Sequence, residues 1–237
     1  MTFKERFFLN FIKDDRWHYL TDGLLVTLEV TFFAVLLGIV IGVIIAGIRS
    51  THDKLIDRTR SGFGKFVLKI FNSIANIYLT VIRGTPVTVQ LMIAYYVIFV
   101  TSNNKVLVAV LAFGINSGAY VAEIVRSGIM SIDEGQTEAG RSLGFNYVQT
   151  MFYIVLPQAF KNVLPALANE FIVLLKETSV CGYVALQDLT RGGDIIRGRT
   201  YDAFFPLLAV AAIYLVMVMV FSKFVTILER RLRKSER

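Results

Sequence analysis

Between Gly23 and Ile48 the chain runs with a single charge, Glu29. An α-helix needs about 20 predominantly apolar residues to cross the hydrocarbon core of a bilayer, and a stretch of this kind has few other ways to fold. Comparable stretches follow at 66–100, 106–124, 151–175 and 203–228. The second is too long for one straight crossing and is interrupted by Arg83-Gly84-Thr85-Pro86. Pro86 removes a backbone donor and pushes Thr85 out of helical geometry, so a break is expected there. The pattern predicts an all-α membrane protein: one transmembrane domain over residues 1–237, with five transmembrane helices. Composition agrees, because 55% hydrophobic against 18% charged residues leaves too little polar surface to clothe a soluble enzyme.

The formal net charge of +7 sits in the connections. In a membrane chain this points to cytoplasmic loops and anionic headgroups, and away from nucleic acid. An odd number of spans puts the termini on opposite sides. The basic tail from Glu229 to Arg237 directly follows a span, which predicts a cytoplasmic C-terminus, an external N-terminus and internal connections at 49–65 and 127–150. Lys4 to Arg16 and Lys176 to Arg199 place nearly as many cations outside, so the tail carries this assignment. Met1 to Asp22 alternates charged and apolar residues and lacks the small-residue cleavage site of a leader. Cys181 is the single cysteine, and His18 and His52 are isolated, so neither a disulfide nor a metal site nor another cofactor is expected. Gly38 and Gly42 form a G-x-x-x-G in the first span, read here as close helix packing.

The most informative connection reads Glu134-Gly135-Gln136-Thr137-Glu138-Ala139-Gly140-Arg141-Ser142-Leu143-Gly144 and leads to Ile154-Val155-Leu156-Pro157. Residues 132–143 fit a short amphipathic helix at the cytoplasmic face, ended by Gly144, with Pro157 in the first turns of the next span. Such a helix would suit docking of a soluble partner, and an ordinary interhelical loop accounts for the residues equally well.

The same residues resemble the signature of ATP-binding-cassette importer permeases: Glu-Ala-Ala, three residues, Gly, nine residues, Ile, any residue, Leu-Pro. Glu138, Ala139, Gly144, Ile154, Leu156 and Pro157 stand at those spacings, with Gly140 in place of the second alanine. Arg83 to Pro86 and Asn116-Ser117-Gly118-Ala119-Tyr120-Val121-Ala122-Glu123 are similar to the polar amino-acid branch of that family. The resemblance spans roughly residues 20–232. It implies a translocation subunit that pairs with a second, identical or different, permease subunit. It also implies two ATPase subunits on the cytoplasmic side and an extracytoplasmic solute-binding protein that delivers substrate. Glu134, Gly135, Glu138, Ala139, Gly140 and Gly144 would then belong to a coupling helix between spans three and four. The chain itself has no G-x-x-x-x-G-K-[ST]; Gly62-Phe63-Gly64-Lys65-Phe66 lacks the leading glycine and the hydroxyl residue, so ATP hydrolysis is expected on the partner.

Ionisable groups inside a span are costly and therefore functional candidates. Glu170 lies deep in the fourth span, and Glu177 follows about two turns later on the same face. Pro165 is expected to break that helix and turn carbonyls toward a cavity. Gly84 permits close approach to the backbone at the second-span break, and Thr85 offers a hydroxyl. Arg83 fits either a substrate carboxylate or a structural salt bridge. Asn116 and Ser117 add an amide and a hydroxyl in the third span. These groups suit a zwitterion, with Glu170 on the α-ammonium or a basic side chain and the break, Asn116 and Ser117 on the α-carboxylate. In the family that the sequence resembles, positions like Glu170 and Glu177 line the substrate pocket. Arginine, lysine and glutamine are the expected cargo. Glu123 and Arg126 read as a helix-end ion pair, and Arg191-Gly192-Gly193-Asp194 as an external loop for a gate or for the binding protein. A secondary carrier or channel without an ATPase is the alternative. A membrane-embedded enzyme lacks a catalytic constellation, and a scaffold would leave Glu170 and the break unexplained.

Overall fold

A computed structural model describes residues 2–56 and 62–234. Asp57, Arg58 and Arg60 of the first basic connection, and the last three tail residues, lie outside the described residues. The described residues are mostly helical, in the order α1 (Phe3–Phe7), α2 (His18–Leu55), α3 (Phe63–Gly84), α4 (Val87–Ile93), α5 (Lys105–Met130), α6 (Glu134–Ser142), α7 (Tyr147–Thr150), α8 (Leu156–Glu177), α9 (Leu189–Thr200) and α10 (Phe204–Lys234). Among the described residues five helices are long and apolar enough to span a bilayer: 18–54, 63–84, 105–130, 147–184 and 204–232.

The second apolar stretch breaks where its sequence requires. α3 ends at Gly84, Thr85 and Pro86 are extended, and the short apolar helix 87–98 continues beyond. The fourth span is longer than its sequence predicts, running from Tyr147 to Val184, and neither proline ends it. Pro157 follows a widened π turn at Met151–Val155, and α8 runs straight through Pro165 to Glu177. The expected break at Pro165 is therefore absent. Neighbouring helices and locally adjusted turns can hold a membrane helix whose proline has removed one hydrogen bond. Beyond Glu177 the helix tightens into a 3₁₀ stretch, Thr178–Val184.

α5 is the most enclosed span. Its backbone lies against α2 through glycines on both sides. A Cβ at Gly38 would sit 2.9 Å from the Ser117 hydroxyl, and one at Gly42 would collide with Val121. A Cβ at Gly114 would sit 2.6 Å from Leu37, and one at Gly118 2.9 Å from Ile41. The G-x-x-x-G of the first span thus packs within the chain, as its spacing predicts. Val30, Leu91, Val108, Phe113, Leu174 and Val184 then join α2, α4, α5 and α8 in the largest apolar core.

Residues 191–194, expected as a loop, are the first turns of α9 instead. Asp188 caps that helix, accepting hydrogen bonds from the Thr190 and Arg191 backbone amides at 3.0 and 3.1 Å. Gly192 and Gly193 let α9 close on the Tyr19 carbonyl and on Val210. Burial pushes the Asp188 carboxyl up to about 6 despite the two amide donors. At the same end of the molecule Arg6 holds Asp202 with two hydrogen bonds, at 2.7 and 3.0 Å, which bring that carboxyl down to about 2.

Candidate functional site

Glu170, Ser117, Asn116 and the broken helix meet inside the bundle. The Ser117 hydroxyl donates to Glu170 Oε1 at 2.9 Å, and both residues are buried. The Asn116 amide donates to Gln90 Oε1, also at 2.9 Å. Gln90 in turn donates to the Ile82 carbonyl at 2.7 Å, the Thr85 carbonyl at 3.1 Å and the Thr85 hydroxyl at 2.8 Å. The break at 84–86 leaves carbonyls without helical donors, and Gln90, one turn after Pro86, supplies them. Asn116 and Ser117 therefore have partners inside the protein: one braces Gln90, the other orients Glu170. Gly84 faces open space, and Thr85 is exposed beside it.

Gln90 is the member of this cluster that sequence reasoning missed. Its signal is present, since it is the lone amide in the apolar run after Pro86. Glu177 lies part-buried two turns beyond Glu170 toward the α9 end. Thr178 spends its hydroxyl on the Leu175 carbonyl, at 2.8 Å. Pro165 borders a cleft of about 500 Å³ with Lys161, Asn162, Asn169 and Glu229, so it faces a cavity although it breaks nothing.

Arg83 belongs to a different group. Its guanidinium lies 3.7 Å from Glu123 and stacks over the Tyr120 ring. Glu123 also takes Arg49 at 2.8 Å and Arg126 at 3.9 Å, and Arg126 reaches Asp53 at 2.7 Å. The expected Glu123–Arg126 pair is one edge of this network, which ties α2, α3 and α5 together. Nearly half of the Arg83 side chain remains exposed.

The connection after α5 forms the predicted helix, starting slightly later. Asp133 caps α6 by accepting from the Gly135 amide at 2.7 Å. Gly144 ends it at φ 84°, a left-handed conformation that suits glycine. The Phe145 amide closes back on the Gly140 carbonyl at 3.0 Å. Glu134, Gly135, Glu138, Ala139 and Arg141 are exposed, and Leu143 is 74% exposed. Gly140 is buried, and a Cβ there would meet Thr150 and Ile154 at 2.8–3.0 Å. The glycine at this position thus seats α6 directly on the foot of the fourth span.

The described ionic network, α6 and the α10 tail share one end of the bundle, while α1, α9 and the 178–188 segment share the other. Residues 61–234 match the family of binding-protein-dependent transport system inner membrane components. The arginine transport system permease protein ArtQ of Bacillus subtilis is 34% identical, over 92% of this chain and 94% of the relative. The glutamine transport system permease protein GlnP of Escherichia coli K12 is 35% identical, over 90% and 93%. A crystal structure of an amino acid ABC transporter with histidines superposes with a TM-score of 0.78 at 43% identity, covering 90% of this chain and 94% of that one.

Proposed function

The chain belongs to the family of binding-protein-dependent transport system inner membrane components, as a permease subunit of the amino-acid ABC transporter type, and we propose that it imports basic amino acids or glutamine. The buried Glu170, oriented by Ser117 next to a braced helix break, is the observation that carries the cargo. A carboxylate held inside the bundle needs a cation to offset its burial, and an α-ammonium or a basic side chain supplies one.

In this reading Glu177 meets the cation first, from the outer side, and passes it two turns inward to Glu170. Gly84, Thr85 and the exposed part of Arg83 receive the carboxylate. Asn116 acts through Gln90 by keeping the break in shape. The alternative of a carrier without an ATPase finds no support in the family membership.

The reading also assigns partners. α6 is the coupling helix, presenting Glu134, Glu138 and Arg141 to a separate ATPase, where ATP hydrolysis resides. A second permease subunit completes the pathway, and an extracytoplasmic solute-binding protein delivers cargo. The protein spans the cell membrane, with α6 and the basic tail in the cytoplasm and α1 outside.

The test is uptake of labelled arginine, lysine, histidine and glutamine by proteoliposomes holding the permease, its ATPase and its binding protein. Uptake of one of these that needs ATP and falls in Glu170→Gln, at normal assembly, supports the reading. Uptake unchanged by Glu170→Gln would remove Glu170 from the site. Transport that persists without the ATPase would return the carrier alternative.

A further inference from the structure

α3 has three faces, and one of them is polar along its whole length. Phe63, Phe66, Ile70, Ile74, Ile77 and Val81 recur at three- and four-residue steps and are all exposed, as a lipid-facing stripe should be. Ala75, Leu79 and Ile82 turn inward, where Leu79 and Ile82 pack with Ala119 and Ala122 of α5. Between these faces Lys65, Lys69, Asn72, Asn76, Thr80 and Arg83 also recur at three- and four-residue steps, with Ser73 beside them.

Lys69, Ser73, Thr80 and Arg83 are exposed on the chain, and Asn72 and Asn76 are half-buried beside them, with Asn72 Oδ1 itself buried and without a hydrogen-bond partner among the described residues. Lysines near a helix end can snorkel to headgroups, but Asn72, Ser73, Asn76 and Thr80 lie mid-helix, beyond that reach. Uncharged polar side chains at that depth are stable only against protein or in a water-filled cavity. The stripe carries three cations and no carboxylate, and its upper end is Arg83, next to the Thr85 break that Gln90 ties to Asn116.

We propose that this stripe of α3 lines the cytoplasmic half of the translocation conduit, as a water-filled, cation-bearing wall along which the carboxylate of the amino acid descends from the Glu170 site. The inference rests on the proposed transport function and adds the exit path to it. Charge complementarity selects the occupant. A carboxylate leaving Arg83 meets hydroxyl and amide groups at successive turns and the exposed Lys69 below them.

The test places single cysteines at Ser73, Asn76 and Thr80, with Ile74 and Ile77 as controls, in a Cys181→Ala background. Inside-out membrane vesicles holding the assembled complex are treated with anionic and cationic water-soluble thiol reagents. The expected result is labelling at the three stripe positions and none at the two controls. The anionic reagent should react roughly ten-fold faster than the cationic one, because like-signed charges focus counter-ions in a cleft. Lys69→Gln should shrink that ratio. Stripe positions as unreactive as Ile74 would overturn the proposal and place this face against the second permease subunit. A faster cationic reagent would overturn it in favour of anionic lipid headgroups. Labelling requires no cargo, so a reactive stripe in a complex that moves no amino acid would retain the conduit and remove the amino-acid reading instead.

Discussion

The Glu170 cluster and the α6 loop are both polar, yet they are satisfied in opposite ways. Inside the bundle the side chains of Ser117, Asn116, Gln90 and Thr85 find partners within the chain, and Ser117 engages Glu170 through Oε1. At the α6 end of the bundle Glu134, Glu138 and Arg141 stand exposed, while the buried side of α6 is reduced to Gly140 against Thr150 and Ile154. The inner region is finished except for one charge. The outer region is a rigid mount whose working face is left open. Under the proposed function selectivity is thereby separated from coupling, and mutations can show whether that separation holds.

The largest effect is expected at the inner site. Glu170→Gln should lower uptake roughly 30-fold or more, about 2 kcal/mol for a lost buried charge contact, with the complex assembled normally. Proteoliposome uptake and co-purification measured on one preparation would check it. A loss of ATPase association in that variant would break the division. Next, Glu138→Lys should weaken ATPase association about ten-fold, as a like-charge or reversed rim contact does, and leave cargo selectivity unchanged. A shift in the ranking of amino acids would count against the separation.

A smaller change is expected at Gln90→Leu, which strips donors from the Ile82 and Thr85 carbonyls. It should destabilise the purified protein by about 1–3 kcal/mol, the usual penalty for unsatisfied buried polar groups, read as a lowered melting temperature. It should also lower the apparent affinity for cargo, since the break would lose its brace. Affinity unchanged at lowered stability would make Gln90 structural only.

The smallest concerns Asp188. Its folded carboxyl is raised to about 6, above the roughly 3.9 of an unfolded aspartate, so the folded state binds the proton more tightly. Stability from this group is full below about pH 4 and is lost as pH rises through about 6. Melting temperature should therefore fall between about pH 4 and 6, and Asp188→Asn, which keeps an acceptor for the α9 cap, should flatten the slope.

The elements legible in the sequence were those written by local rules. Five apolar stretches, the break at Pro86, and the stop of α6 at Gly144 each follow from length or from one residue's backbone geometry. Long-range features were less accessible. Pro165 reads as a breaker because its missing donor is local, while the neighbours that hold the helix are not. Gly192 and Gly193 read as a loop because their packing against Tyr19 and Val210 joins distant segments. For the same reason Glu123 showed only its neighbour Arg126 in sequence, whereas Arg49 and Arg83 approach it from two other helices. Within the candidate site, Glu170, Ser117 and Asn116 were legible as costs in an apolar span. Gln90 was not, because its role depends on which carbonyls the break leaves unpaired.

The glycine contact between α2 and α5 has a mechanical consequence. Where the Gly38 and Gly42 side of one helix meets the Gly114 and Gly118 side of the other, Ser117, Val121, Leu37 and Ile41 sit directly over the glycines and leave no slack between the backbones. Such a joint can neither slide by a turn nor tilt without collision. Under the proposed function the pair is the fixed part of the transporter, and opening and closing fall to the elements packed around it.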